Sequence, residues 1–154
     1  DGVDDELATG AFSSGTLTSS MDSFLLLNLD ALGASGVMHL YGSFGFIGVA
    51  QAGVGSPANS GAGSPSYKIN GVAVPGGTSS TRDQLYNALP ALGTWFIFEF
   101  NGADLSSAIN IEIAGYSSFQ INGKCAELIL CESVDDATRA RIRTYLGSHV
   151  GLTL

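Results

Sequence analysis

Apolar residues in this chain fall in short runs separated by polar, glycine-rich stretches. Phe24, Leu25, Leu26, Leu27 and Leu29 form a short apolar run within residues 17–32, broken by Asn28 and Asp30, which predicts a strand buried on both faces or between layers. Residues 36–50 mix aromatics with glycines, a pattern for twisted or bulged strands rather than a helix. Residues 95–100 alternate strictly. Phe96, Phe98 and Phe100 share one face, and Trp95, Ile97 and Glu99 the other. The phenylalanine face is expected in the core and Glu99 in solvent. Two more strands are read at 109–114 and 124–131. On the second, Cys125, Glu127, Ile129 and Cys131 share a face, opposite Ala126, Leu128 and Leu130.

Turn residues punctuate these runs. Asn70-Gly71, Asn101-Gly102 and Asn122-Gly123 each follow a strand-like segment and each predict a hairpin, because both residue types tolerate positive φ. Residues 51–66 read as one long loop of small residues. In 78–90, Leu85, Tyr86 and Leu89 have helical spacing, with Thr81 to cap the turn and Pro90 to stop it. The longest predicted helix spans 133–146. Ser133 is its expected N-cap with Asp136 three residues on, Asp135 pairs with Arg139, and Gly147 ends it. Val134, Thr138, Ile142 and Tyr145, with Leu146 beside them, form its apolar side. Many strands followed by one amphipathic helix predict a single all-β domain over 1–154. The expected form is a two-sheet antiparallel sandwich, its edge or open end covered by the short C-terminal helix.

Composition narrows the function. The 154 residues include 21 glycines, only 13% are charged, and the net charge is −8. An acidic chain without a basic patch argues against nucleic-acid binding. Arg139, Arg141 and Arg143 supply half of the basic residues and read as a solvated helix face. Residues 33–66 hold no Asp, Glu, Lys or Arg. That stretch, with Tyr41, Phe44 and Phe46, is expected to form an uncharged assembly face on which Ser43, Ala52 and Ala58 are surface positions; the alternative is that Phe44 and Phe46 enter the domain's own core and 51–66 is only a mobile loop. No apolar run approaches the ~18 residues of a membrane span. Cys125 and Cys131 on one strand would lie about 20 Å apart, too far for a disulfide.

Five segments together resemble laminin-G-like modules of the concanavalin-A-like lectin/glucanase fold. DGVDDEL at the start resembles the family's FDGVDDYL strand, and YKINGVAV (67–74) its YVNG hairpin. GTWFIFEFNG (93–102) resembles WHHVAVTFDG, and INGKCAELILCESV (121–134) the last core strand. TRARIRTYLGSHVGL (138–152) resembles the closing IEGYLAHKWGL tail, a form found in phage virion proteins and secreted bacterial proteins. Glu6 replaces the usual aromatic of the first motif, the histidine pair after Trp95 is absent, and His149 replaces a lysine. The resemblance implies a jelly-roll sandwich, not one activity.

The chemistry-bearing residues point away from catalysis. Glu99, Glu112 and Glu127 are single acids on separate strands, without the paired spacing of a glycosidase. His39 and His149 have no nucleophile motif near them. Asp1, Asp4, Asp5 and Glu6 form an acidic cluster, and Asp22, Asp30 and Asp104 are further oxygen donors. Calcium is compatible with these, but no motif specifies it and no metal site is assigned. For a sugar, stacking rings are expected at Tyr116, Trp95 and Tyr67, with Tyr41 and Tyr86 as further aromatics. The expected function is a non-enzymatic module on a phage or phage-like virion: a tail fibre or spike tip, or a capsid decoration domain. Its partners would be other virion proteins, copies of itself or cell-surface glycan, with no nucleic acid and no membrane insertion. Two alternatives stand beside it: a carbohydrate-binding module of a secreted bacterial enzyme or adhesin, and a purely structural capsid cement protein. Each places the chain on a virion surface or outside the cell.

Overall fold

The computed structural model describes residues 7–8, 17–31, 35–41, 45–49, 57–108, 110–113, 115–116, 119–120 and 122–154. Numbered in chain order, the strands are β1 (Leu7–Ala8), β2 (Met21–Ala31), β3 (Ser35–Tyr41), β4 (Gly45–Val49), β5 (Asn59–Ser60) and β6 (Ser66–Ile69). They continue with β7 (Val72–Ala73), β8 (Trp95–Ala103), β9 (Asn110–Ile113), β10 (Gly115–Tyr116), β11 (Phe119–Gln120) and β12 (Asn122–Glu132). One five-stranded sheet has the order β1-β9-β3-β4-β5, the other β12-β2-β8-β6-β7, and β10 pairs with β11. Every pairing is antiparallel. Among the described residues there are also two α-helices, α1 (Arg82–Ala88) and α2 (Asp136–Ser148), and a 3-10 turn at Gly77–Ser79. The chain is thus mostly β with one long C-terminal helix.

β2 lies at the heart of the second sheet, between β12 and β8, and its first nine residues are buried. Its alternation serves two cores. Met21, Leu25, Leu27 and Leu29 face the larger one, with Phe96, Phe98 and Phe100 of β8, Tyr67 and Ile69 of β6, and Leu85 of α1. Phe24 and Leu26 face the opposite side, with Ile97 and Leu146. Burying each such apolar side chain contributes roughly 1.5–3 kcal/mol, so the apolar residues of β2 contribute to both clusters. The three phenylalanines are where alternation places them, exposed by 2% or less.

α1 forms where Thr81 caps it. The Thr81 hydroxyl accepts from the Gln84 N–H, and the Gln84 side chain accepts from the Thr81 N–H. In α2 the cap is Asp135, not Ser133: its carboxylate accepts from the Thr138 N–H at 2.7 Å. Ser133 instead turns toward Asp22 and Ser20. With Asp135 occupied, Arg139 pairs with Asp136 and Asp22 rather than with Asp135. The buried face of α2 carries Arg139, Ile142, Arg143 and Leu146, rotated from the expected one, and Tyr145 is 49% exposed. Gly147 lies inside the helix. Its missing side chain lets the tail fold back, since a Cβ there would lie 2.8 Å from the Leu152 carbonyl oxygen. The Leu152 N–H then donates to the Gly147 carbonyl at 2.9 Å, and Gly151 (φ 69°) makes the reversal. α2 lies on the face of the second sheet opposite the larger core, over β2 and β8 and against Ile129 and Cys131 of β12.

Only one Asn-Gly pair makes a hairpin: Asn70 (φ 51°) and Gly71 (φ 80°) join β6 to β7. The other two lie inside long strands at register shifts. Gly102 (φ 75°) is the extra residue where β8 passes Met21 and Asp22, and its N–H donates to Asp22. Gly123 sits where β12 crosses β2 so closely that a Cβ would lie 2.3 Å from the Asn28 oxygen. A further bulge at Ala126 changes the faces of β12. Cys125 turns to the larger core with Leu128 and Leu130, while Ile129 and Cys131 face the helix side. The two thiols are free and lie on opposite faces, not on one.

The expected loop at 51–66 is partly structure. Pro57 bridges to Thr81, Asn59 and Ser60 pair with β4, and Ala58 and Ala62 are fully buried in the core. Ala58 is therefore not a surface position. Ser43, Phe44, Ala52 and the rest of 51–56 lie outside the described residues, as does most of the DGVDDEL segment.

Candidate functional site

The densest chemistry among the described residues lies between the second sheet and α2. β2 carries Asp22 to the outer face, and β8 carries Glu99 there; both side chains are fully buried. Asp22 Oδ1 accepts from the Gly102 N–H at 3.0 Å and the Ser133 hydroxyl at 3.2 Å. Its Oδ2 accepts from the Val134 N–H at 3.1 Å and Arg139 Nε at 2.9 Å. Glu99 Oε1 accepts from the Gly71 N–H, and Oε2 from Arg143 Nη1, each at 3.1 Å. Lys68, opposite Glu99 on β6, adds positive charge.

Glu99 was expected in solvent; it is an anchor under the helix instead. Arg139 and Arg143 were expected on a solvated face; Arg143 pairs with Glu99 and Arg139 with Asp22 instead. Alternation correctly separates Glu99 from the phenylalanines, but a helix more than thirty residues later covers that side. Burial pushes the Glu99 carboxyl above its ordinary 4.5, while Arg143, Lys68 and the Gly71 N–H pull it down. A raised carboxyl often marks an acid catalyst. Here each oxygen already holds a donor and none is open to solvent, so the group fixes the helix rather than meeting a substrate.

A second, exposed cluster sits where α2 ends beside β12. His149 Nδ1 lies 3.6 Å from Glu127 Oε2, and the His149 and Tyr145 rings meet edge to face at 4.6 Å. The negative charge of Glu127, and then burial, push the Tyr145 phenol up. This ring, carboxylate and imidazole present stacking and hydrogen-bonding groups to solvent. The i,i+4 spacing of Tyr145 and His149 was the available sequence signal for it.

The expected sugar-stacking residues do not form one site. Tyr67 is 1% exposed and stacks on Phe98 at 6.1 Å, so its ring offers no free face. Trp95 is half-buried against the cluster beneath α2, on the opposite face of the same sheet. Tyr116 lies on β10, paired with Phe119, and its side chain is outside the described residues. Tyr86 packs against the larger core. Glu112 is on β9 in the other sheet, apart from Glu99 and Glu127.

Among the described residues no three of His, Cys, Asp and Glu gather as a metal-ligand set. Asp104 is held by the Ser106 hydroxyl and N–H, and Asp30 is exposed. The cluster at Asp1, Asp4, Asp5 and Glu6 lies outside the described residues. Burial raises both thiols, Cys125 to about 11, which keeps them protonated and poor nucleophiles. Among the described residues no helix is long and apolar enough to cross a membrane. No family model matches the chain, and no curated protein or solved structure shows significant similarity to it.

Proposed function

We propose that the chain is a concanavalin-A-like jelly-roll sandwich serving as a non-catalytic binding or assembly module of a virion surface. A fibre tip and a capsid decoration domain are the two settings that fit it. The observation that carries the reading is the use of the buried acids. Asp22 and Glu99 are saturated by arginine and backbone donors, and their role is to seat α2. The tail that resembles the closing segment of phage modules is the same segment that supplies those arginines. Low charge and small side chains suit packing against neighbours.

The test has two arms. Antibody against the chain should label the surface of purified particles from the producing cells, and a chain absent from particles would overturn the virion setting. The intact chain, incubated with a panel of glycans, should show no hydrolysis. Turnover that disappears in the E99Q/E112Q/E127Q variant would overturn the non-catalytic reading.

A further inference from the structure

The two edges of the second sheet differ. β7 is two residues long and ends the sheet in a short, blunted strand. β12 has 11 residues and, among the described residues, pairs with β2 alone. Lys124, Glu127, Glu132 and the bulge at Ala126 guard its ends. Between Glu127 and Glu132, Leu128, Ile129, Leu130 and Cys131 carry no charge, proline or glycine. All four are only partly buried, although their β2 partners Leu25, Phe24, Ser23 and Asp22 are 0% exposed.

An edge strand leaves alternate N–H and C=O groups without a ladder partner, and a flat apolar edge is a template for another strand. The stretch is apolar on both faces: Leu128 and Leu130 toward the larger core, Ile129 and Cys131 toward the helix side. An added strand would therefore need apolar residues on both faces too. β12 itself meets that requirement.

We infer that the edge of β12 to which no described strand pairs takes up an added antiparallel strand, and that in a solution of this chain β12 of a second copy supplies it, about a two-fold axis through Ile129. An axis normal to the sheet keeps core-side residues on one side of the joined sheet. It sets Ile129 opposite Ile129, Leu128 opposite Leu130 and Glu127 opposite Cys131. No acid then faces an acid, and Leu128, Ile129 and Leu130 meet apolar side chains. Moving the axis to Leu128 would set Glu127 opposite the larger, wholly apolar Ile129 instead of the thiol of Cys131. Tyr145, 49% exposed and in edge-to-face contact with the His149 ring that lies 3.6 Å from Glu127, stands beside this edge and adds apolar area. A strand pair with one flanking ring is small beside the ~1,000 Å² of a specific interface, so the association depends on concentration. The inference goes beyond the proposed function and holds whatever particle the chain belongs to.

Sedimentation velocity of the full chain over a dilution series should show a monomer–dimer equilibrium. In E127C on a C125S background, oxidation should link the introduced thiol to Cys131 of the second copy, as read by peptide mapping. Within one chain those positions are ~13 Å apart along the strand, too far to bridge. Ile129→Lys, checked for folding by circular dichroism, should sediment as a monomer. A monomer at every concentration, a cross-link absent from the dimer, or a folded I129K that still dimerises would each overturn the inference. Where I129K does not fold, the cross-link decides.

Discussion

Arg143→Leu isolates the anchor beneath α2. It removes the guanidinium that meets Glu99 at 3.1 Å, where the Glu99 side chain is 0% exposed and that of Arg143 is 16% exposed. Breaking a buried ion pair from one side costs about 3–5 kcal/mol, because the remaining charge stays buried. The Gly71 N–H and Lys68 still face Glu99, which places the expected loss near the lower end, about 3 kcal/mol. The loss should depend on pH. Glu99 already sits above its ordinary 4.5, and removing Arg143 takes away the chief cause holding it down. A carboxyl raised in the folded state contributes stability that is fully present below its unfolded value and lost as pH rises through the folded one. The deficit of R143L relative to the parent should therefore be largest near neutral pH and shrink as pH falls toward 4.5. Urea unfolding followed by the fluorescence of the single tryptophan, Trp95, reads it directly, since that ring packs on the same cluster. Adding Glu99→Gln should restore most of the loss. A deficit below about 1 kcal/mol at neutral pH, the size of an exposed pair, or one that does not change with pH, would refute the reasoning.

Three further changes test the layers around it. Phe98→Ala empties a fully buried site in the larger core and should cost ~3–5 kcal/mol in the same unfolding assay. Gly123→Ala puts a methyl 2.3 Å from the Asn28 oxygen and should cost about 1–3 kcal/mol, with the β2–β12 amides losing hydrogen-exchange protection first. Thr81→Ala removes the α1 cap and should cost about 1 kcal/mol, seen as a lowered Tm.

Local pattern made the strands legible. The apolar run of β2 and the alternation of β8 follow from side-chain period and burial alone, and the Thr81 cap from a hydroxyl before a helical spacing. What the pattern could not show was what lies over each face. Glu99 belongs opposite the phenylalanines, but only the long-range return of α2 covers it. Arg139 and Arg143 share a helix face with Ile142 and Leu146, a face that looks apolar only once its charges are known to be paired. Register was equally hidden. Asn-Gly makes a hairpin at 70–71, a bulge at 101–102, and at 122–123 a strand stretch facing a bulge at Asp30 of β2, and the bulge at Ala126 moved Cys125 across the sheet. Of the expected ligand-facing rings, Tyr67 follows the parity of Ile69 into the core, a placement its strand shared with any apolar residue.

The central claim is that α2 closes the outer face of the second sheet, so that the sheet's buried acids are anchors and not reacting groups. Methyl-to-aromatic nuclear Overhauser contacts in a selectively labelled sample test it most directly. Leu146 and Ile142 methyls should show contacts to the Phe24 ring and the Ile97 methyls, with the Arg143 side-chain N–H protected from exchange. A helix lacking those contacts, with an Arg143 side chain exchanging as freely as Arg141, would contradict the account.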